Sequence, residues 1–242
     1  MPGPVKTEGV VLRSMRYGEA DRILHVYTRD RGRMGAIAKG VRRARSRFGG
    51  RLEPFSHVAL VLHEGRSDLL TVTGADTVRS HARLRTDAGA LDAAARACDA
   101  VSRLFETTES HPAVFHLLLN ELALLDAAEG AIHATHANQL AFRLKLLLAA
   151  GLAPQLSACA TCGEREHLSA FSGAAGGVVC AACEAGGFSL SEEAHGFLVA
   201  AIGQPLADAP QASERALRQA ERAIGATVEH HAHLKLRPAL AG

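Results

Sequence analysis

The feature that most constrains the fold of this chain is a set of four cysteines arranged in two close pairs. The pairs are Cys159-Ala-Thr-Cys162 and Cys180-Ala-Ala-Cys183, so the spacing is C-x2-C-x17-C-x2-C. Two cysteines that flank a tight turn present both sulfurs to one ion, and two such pairs complete a tetrahedron of thiolates. The spacing predicts one structural zinc ion that closes a segment too polar to fold alone, with Cys159, Cys162, Cys180 and Cys183 as ligands.

Four thiolates leave no coordination position for a catalytic water, so the predicted zinc is structural. Chance pairing of reduced cysteines is an alternative that two correctly spaced pairs disfavour. A redox-active C-x-x-C pair is a weaker alternative, because neither pair is predicted to lie between a strand and a helix. The fifth cysteine, Cys98, falls on the apolar stripe of a predicted helix and is assigned to the core.

The sequence shows no segment typical of secretion or membrane insertion, which indicates the cellular compartment. The N-terminus has no apolar signal segment, and the longest uncharged run, residues 146–163, is interrupted by Pro, Gln, Cys and Gly. These observations predict a soluble cytoplasmic protein without a membrane partner. Clustered cysteines in that compartment are reduced, which again favours metal binding over disulfides.

Charge is unevenly distributed along the chain. Residues 1–80 contain 15 Lys and Arg against 8 Asp and Glu, whereas residues 81–242 contain 12 against 17. Five of the twelve residues in Lys39–Gly50, KGVRRARSRFGG, are basic and none is acidic. Such asymmetry predicts that the first part of the chain meets a polyanion.

Periodicity divides the chain into an α+β protein of several domains. Five short runs rich in Val, Ile, Leu and Thr within residues 1–80 predict a small five-stranded barrel or sandwich. Apolar residues then recur at helical spacing, which predicts a helical domain over 81–156 and 189–242. The cysteines lie in a loop-rich insert, residues 157–188.

Five helices are predicted. The first covers an apolar stripe from Leu91 to Phe105, and the second starts near Ser110 with Pro112 in its first turn. The third extends from about Ile132 to Ala150. A capping box of Ser189 and Glu192 opens the fourth, which ends near Ile202. Ser213 caps the last, which ends near His233.

No catalytic motif is present, and the protein is predicted not to be an enzyme. The chain has no phosphate-binding G-x-x-x-x-G-K and no G-x-S-x-G, and His63-Glu64 lacks the second histidine of a zincin. The histidines near the C-terminus, in EHHAHLKLR, are interpreted as a solvated helix end rather than a metal site. His133 and His136 are likewise assigned to a solvated helix face.

The basic stretch is the candidate nucleic-acid site. Each Lys or Arg can displace a condensed counterion from a nucleic-acid strand, and small five-stranded barrels often bind single strands along one face. The flanking glycines predict a flexible loop. Phe48 is either a stacking partner for an exposed base or an anchor into the barrel. A solvated loop without a partner is the alternative to the predicted phosphate-binding set of Lys39, Arg42, Arg43, Arg45, Arg47 and Arg51.

The first part of the chain also resembles a known family. The segments YGEADRI (Tyr17 to Ile23), AKGVRRARSRF (Ala38 to Phe48) and RLEPF (Arg51 to Phe55) are similar to the N-terminal domain of the RecO family of bacterial recombination mediators. The order of β domain, helical domain and four-cysteine insert is similar as well. The resemblance implies an OB-fold that binds single- and double-stranded DNA and anneals complementary strands.

The resemblance further implies that the protein acts with RecR to load the RecA recombinase onto DNA coated with single-strand binding protein. It also implies that the protein associates with the nucleoid during repair. Two other function classes stay open from the residues alone. One is an RNA-binding or ribosome-associated zinc protein. The other is a zinc-dependent hydrolase acting on nucleic acid, which a four-thiolate site argues against.

Overall fold

The computed structural model describes residues 3–65 and 69–239 of the chain. It contains two compact units, residues 1–128 and residues 129–242. In the described part of the chain, no helix is both long and apolar enough to span a membrane.

The first unit begins with a closed five-stranded barrel, which confirms the predicted OB-like domain. Neighbours around the barrel follow the order β1-β2-β3-β5-β4, and all pairs are antiparallel except β3 with β5. Side chains alternate between the core and the outside, as β3 shows with every second residue buried. The strands are β1 (Val5–Tyr17), β2 (Asp21–Thr28), β3 (Gly32–Ala38), β4 (His57–His63) and β5 (Leu70–Arg79).

Two helices complete the first unit. A single 3-10 turn (Ala82–Thr86) leads into α1 (Ala88–Leu104), which Asp87 caps by accepting a hydrogen bond from the Ala90 N–H at 2.7 Å. Helix α2 (Pro112–Leu125) has Pro at its first position, as predicted. The predicted start at Ser110 is wrong by two residues, because the Ser110 hydroxyl donates to the Arg29 carbonyl instead of capping the helix.

The loop between α1 and α2 packs on the turn between β2 and β3. The Arg33 N–H donates to the Thr107 carbonyl at 3.1 Å, and the Arg33 guanidinium donates to the Ser102 carbonyl at 2.9 Å. Gly32 sits at this contact with φ of +54°, and a Cβ there would lie 2.2 Å from the Glu109 carbonyl oxygen. Only glycine fits both the left-handed backbone and the close approach.

The second unit combines three packed helices with a small sheet. The helices are α3 (His136–Ala149), α4 (Glu192–Gly203) and α5 (Glu214–Ala232). Between α3 and α4 in sequence, β6 (Leu168–Ser172), β7 (Gly177–Cys180) and β8 (Phe188–Ser189) form a sheet in the order β7-β6-β8. The insert predicted to be rich in loops therefore contains a three-stranded antiparallel sheet.

Helix starts in the second unit differ from the predictions in two places. Ser191, rather than Ser189, caps α4 by accepting from the Ala194 N–H, and Ser189 belongs to β8. Helix α3 begins at His136 after a Thr135 cap, and a separate 3-10 turn occupies Gly130–His133. Ser213 caps α5 as predicted.

The prediction of a solvated His136 is wrong. Its side chain is only 6% exposed, and the two ring nitrogens lie 3.4 Å and 3.2 Å from carboxylate oxygens of Glu214 and Glu221. These partners come from α5, about eighty residues later in the chain, so helical periodicity around His136 could not indicate them. The histidine links the start of α3 to α5.

Candidate nucleic-acid interface and cysteine cluster

The basic stretch lies in the connection between β3 and β4, residues 39–56, called the basic loop below. It contains no helix or strand and consists of successive turns. The prediction placed six cations here, and the structure exposes every one of them. They are Lys39, Arg42, Arg43, Arg45, Arg47 and Arg51.

Hydrogen bonds tie both ends of the basic loop to neighbouring parts of the barrel. At its start, the Arg42 N–H donates to the Ala20 carbonyl of the β1–β2 turn at 2.9 Å. At its end, the Phe55 N–H donates to the Val11 carbonyl of β1 at 2.7 Å. The loop is thus tied to β1 at one end and to the β1–β2 turn at the other, which fixes where its charges are displayed.

The side chains of the loop divide into buried anchors and exposed cations. Phe48 and Leu52 are each 1% exposed and pack in the barrel core. Of the two roles predicted for Phe48, the structure supports the anchor, because a buried ring cannot stack on a base. The Arg47 guanidinium carbon lies 4.7 Å from the centre of this ring, so its charge is held over the anchor.

Three of the six exposed cations contact carbonyl oxygens, and none contacts a carboxylate among the described residues. The guanidinium groups of Arg42, Arg47 and Arg51 donate to the carbonyls of Glu19, Val72 and Arg47 respectively, at 3.1, 3.4 and 3.0 Å. Within residues 3–65 and 69–239, none of the six forms an ion pair. No acidic side chain in the described part of the chain therefore neutralises their positive charge.

Other cations of the same unit do have acidic partners. The guanidinium nitrogens of Arg22 and Arg79 lie 2.9 Å from Glu53 and 3.5 Å from Asp126. Arg33 approaches Glu106 at 3.8 Å. Arg22, Arg33 and Arg79 differ in this respect from the six cations of the basic loop. The count of Lys and Arg in the sequence cannot reveal that difference.

Prediction from sequence missed two cations on β1, Arg13 and Arg16, which are also exposed. Burial, followed by the positive charges of Arg33 and Arg13, lowers the pKa of His25 on the neighbouring strand. The contributions of Arg33 and Arg13 to this shift place positive charge near His25. Alternation within the segment VLRSMRY could not indicate Arg13, because it shares the parity of the apolar Val11 and Met15 and the strand register shifts between Val11 and Arg13.

The four clustered cysteines come together at one end of the small sheet. Their sulfur atoms all lie within 4.8 Å of one another, and the Cys162 and Cys180 sulfurs are 3.7 Å apart. A zinc ion with four Zn–S bonds of about 2.3 Å requires sulfur separations of roughly 3.8 Å. The arrangement therefore fits a metal ion, and within the described residues it is the one cluster of three or more such side chains that does.

The chain places the two pairs by different means. A turn closed by the Gly163 N–H to the Cys159 carbonyl, at 2.9 Å, carries the first pair. In the second pair, Cys180 ends β7 and Cys183 ends a single 3-10 turn, which leads to β8 rather than to an α-helix. All four thiols nevertheless converge, which a two-cysteine redox site would not require.

The thiols perturb one another's ionisation. Hydrogen bonds from the backbone N–H groups of Cys162 and Cys180 lower the pKa of the Cys159 thiol to about 6. Hydrogen bonding with Cys162 and Cys180 raises the pKa of Cys183 to about 12. Four thiolates cannot share this space without a cation, and a divalent ion removes that conflict.

The remaining candidates keep structural roles. Cys98 is buried in α1, and burial raises the pKa of its thiol. His230, His231 and His233 are exposed at the C-terminal end of α5.

Comparison with known proteins identifies relatives over nearly the whole chain. Residues 1–81 match the family model described as "Recombination protein O N terminal", and residues 85–238 match "Recombination protein O C terminal". A Rubrobacter xylanophilus protein named DNA repair protein RecO is 41% identical over 234 residues, which cover 94% of this chain and 92% of the relative. A protein of the same name from Anaeromyxobacter dehalogenans (strain 2CP-C) is 38% identical over 94% of this chain and 91% of its own length.

Proposed function

Because this chain belongs to the RecO family of DNA repair proteins, we propose that it acts in recombinational DNA repair as a non-enzymatic mediator. It binds single- and double-stranded DNA and anneals complementary strands. It also helps to load the RecA recombinase. The observation that carries the proposal is the basic loop, with six exposed cations that have no acidic partner within the described residues.

Phosphate binding by this loop is electrostatic and independent of sequence. Each Arg contacts phosphate through two N–H groups and releases a condensed counterion when it does so. The anchors Phe48 and Leu52 keep the cations on one side of the barrel. Neutralising the charge of two strands lowers their mutual repulsion, which favours annealing.

The four cysteines hold one structural zinc ion under this proposal. Zinc supplies a tetrahedral cross-link between the two pairs and takes no part in a reaction. The small buried cluster around the sulfurs supports such a role, because it consists of Cys159, Ala170, Val179 and Cys180, and only Phe171 and Val178 add further buried apolar side chains among the described residues of this segment. A segment with so little apolar core needs a further constraint in order to fold.

The partners proposed besides DNA are proteins. RecR is the primary one, together with RecA and single-strand binding protein, at the nucleoid in the cytoplasm. Residues 81–242 carry more Asp and Glu than Lys and Arg, which disfavours phosphate binding and suits protein docking. An RNA-binding function is the second candidate, and competition between DNA and RNA of equal length separates the two.

A variant with four loop arginines replaced tests the proposal. Changing Arg42, Arg43, Arg45 and Arg47 together to Ala should weaken binding to all DNA sequences alike and slow annealing. The slope of log affinity against log salt should flatten by up to roughly 0.7 per lost phosphate contact on single strands. Fluorescence anisotropy of labelled oligonucleotides at several salt concentrations measures this slope.

The control removes the same charge elsewhere on the surface. Arg83, Arg165, Arg215 and Arg218 are exposed in other elements, and their joint replacement by Ala should leave the salt slope as it is. Circular dichroism establishes that both variants are folded. An unchanged slope and unchanged annealing in the folded loop variant would make the basic loop a solvated loop without a partner.

A further inference from the structure

The outer face of β1, β2 and β3 presents an exposed aromatic side chain beside the basic loop. Tyr17 is 54% exposed at the end of β1. By contrast, Tyr27, whose ring packs against Phe105, and Phe48 of the barrel core are 0% and 1% exposed. An aromatic ring left open to solvent at this position needs an explanation, since it contributes little to the core.

Strand register connects Tyr17 to the start of the basic loop. Tyr17 pairs with Asp21 across β1 and β2. Arg22 pairs with Ala38 across β2 and β3, so Lys39 is next in line to Asp21. Tyr17 and Lys39 thus lie at the same level two strands apart, roughly 10 Å between backbones.

Hydrogen bonds hold the two neighbouring turns together. The Gly40 N–H donates to the Asp21 carboxylate at 2.7 Å. This hydrogen bond gives a partner to Asp21, the acidic residue between Tyr17 and Lys39. The Arg42 backbone N–H donates to the Ala20 carbonyl at 2.9 Å, and its guanidinium donates to the Glu19 carbonyl at 3.1 Å. The backbone segments that carry Tyr17, Lys39 and Arg42 are therefore held next to one another.

An apolar row adjoins the tyrosine on the same face. Ile23 pairs with Met15 on one side and with Ile37 on the other. Residues 24 and 26 of β2 point into the barrel core, so Ile23 and its two partners point outward. All three are half-buried, which leaves apolar surface next to the exposed ring.

We propose that this outer face, with Tyr17 as the stacking platform and Met15, Ile23 and Ile37 as the adjoining apolar surface, binds unpaired bases of single-stranded DNA. The inference rests on the proposed DNA binding of the basic loop and adds how the protein distinguishes single strands from duplex. The ring takes a base in stacking contact while Lys39 and Arg42 hold the phosphates beside it. In a duplex the base faces are already stacked, so only the basic loop can act on it.

The arrangement also has a consequence for annealing. A base that pairs with a complementary strand leaves Tyr17, and the product duplex keeps only its phosphate contacts. Affinity for the product is then lower than affinity for the single strand, which promotes product release.

Three substitutions of Tyr17 test the inference. Tyr17→Ala should weaken binding of a thymidine oligonucleotide by about 5-fold to 150-fold, the range for loss of one base–aromatic stack. Binding of a hairpin duplex and the salt slope should stay unchanged. Tyr17→Phe should retain the affinity for the single strand, whereas Tyr17→Leu, which is apolar without a π face, should not.

Tyrosine fluorescence gives a second readout that needs no change at Tyr17. The chain has no Trp and two Tyr. Tyr27 is buried, and its hydroxyl has no hydrogen-bond partner within the described residues, so Tyr27→Phe should fold and leave Tyr17 as the sole fluorophore. Single-stranded DNA should quench this emission, and the hairpin duplex should not.

The four-arginine variant separates failure of this inference from failure of the proposed function. One outcome is that this variant loses binding to both DNA forms while Tyr17→Ala binds like the unchanged protein and Tyr17 emission stays constant. That result would refute base stacking on Tyr17 and leave phosphate binding by the basic loop supported. If neither variant loses affinity and no quenching occurs, both proposals are overturned. Loss of single-strand affinity in Tyr17→Ala together with quenching supports the stacking face.

Discussion

Phe48 shows how one residue decides where the charge of the basic loop lies. Its position between Arg47 and Gly49 in the sequence is compatible with a base-stacking ring or with an anchor. The structure supports the anchor, since the ring is 1% exposed and packs in the barrel core. Because the ring lies in the core, the side chains of the flanking cations lie on the outside of the barrel.

Replacing Phe48 should therefore destabilise the first unit. Phe48→Ala removes a buried ring and should lower the free energy of unfolding by about 3–5 kcal/mol. Phe48→Leu, which refills most of the space, should lower it by much less. Urea denaturation followed by circular dichroism measures both, and equal stabilities for the Ala variant and the unchanged protein would contradict the anchor.

His81 makes the first unit sensitive to acid. It is 2% exposed, and its Nδ1 lies 2.8 Å from the Phe55 carbonyl oxygen. Burial lowers its pKa below 6.5, and this outweighs the Phe55 carbonyl and Asp126, which raise the pKa. Its Nε2 is buried without a hydrogen-bond partner within the described residues, so a proton there would have no acceptor.

Stability should consequently fall as the pH is lowered. Below pH 6.5 the unfolded chain binds a proton at this histidine and the folded chain does not, so the stability present above pH 6.5 is lost as the pH falls toward the folded pKa. His81→Asn, which tolerates the positive φ of this position, should flatten the dependence on pH. Part of the dependence should remain, because burial also lowers the pKa of His57. Denaturation between about pH 7 and pH 5 tests this, and an unchanged slope in the variant would exclude His81 as a cause.

At the scale of elements, the small sheet and its cysteine pairs act as one module. Cys162→Ser should reduce the zinc content of the purified protein below one per chain and destabilise the second unit. A structural zinc site contributes binding free energy on the order of 10 kcal/mol in small domains, so losing one ligand should unfold the module. DNA binding should fall only as far as the chain misfolds.

Cys98→Ala is the matched control, since this buried cysteine lies outside the cluster and its loss should leave one zinc per chain. Elemental analysis measures the metal. Well under one zinc per chain in the unchanged protein, with its cysteines reduced, would refute the zinc assignment.

Elements were predictable from sequence where one local signal determines them. The five strands follow from β-branched runs, and α5 follows from its Ser213 cap and apolar stripe. Ser189 and Ser191 offer similar capping signals, and pairing of Phe188–Ser189 with β6 decided between them. The burial of Phe48 and the ion pairs of His136 depend on residues distant in sequence, so local patterns could not predict them.

At the scale of the whole molecule, the uneven charge follows the two compact units. Residues 1–128 carry 19 Lys and Arg against 15 Asp and Glu, and residues 129–242 carry 8 against 10. Helices α1 and α2 belong to the first unit, where the Arg33 and Arg79 ion pairs with Glu106 and Asp126 help to hold them to the barrel. A cut between residues 128 and 129 therefore separates the charges at the boundary of the two units.

Fragments made at this cut should divide the activities. Fragment 1–128 should bind DNA with a salt slope close to that of the full chain. Fragment 129–242 should bind zinc and have little affinity for DNA, because its net charge is negative and it lacks the basic loop. Anisotropy titrations of the two fragments measure this, and tight DNA binding by fragment 129–242 would show that the basic loop is not the main DNA surface.

Closure of the barrel has a consequence during protein synthesis. Strand β1 pairs with β4 and β3 pairs with β5, and both partners are synthesised later. The barrel therefore cannot close until residue 79 has left the ribosome. The basic loop emerges earlier, when Phe48 and Leu52 have no core to enter. Cations beside an exposed apolar segment oppose aggregation. We therefore expect the residues proposed to hold DNA in the folded protein also to oppose aggregation of the nascent chain until β5 has been synthesised.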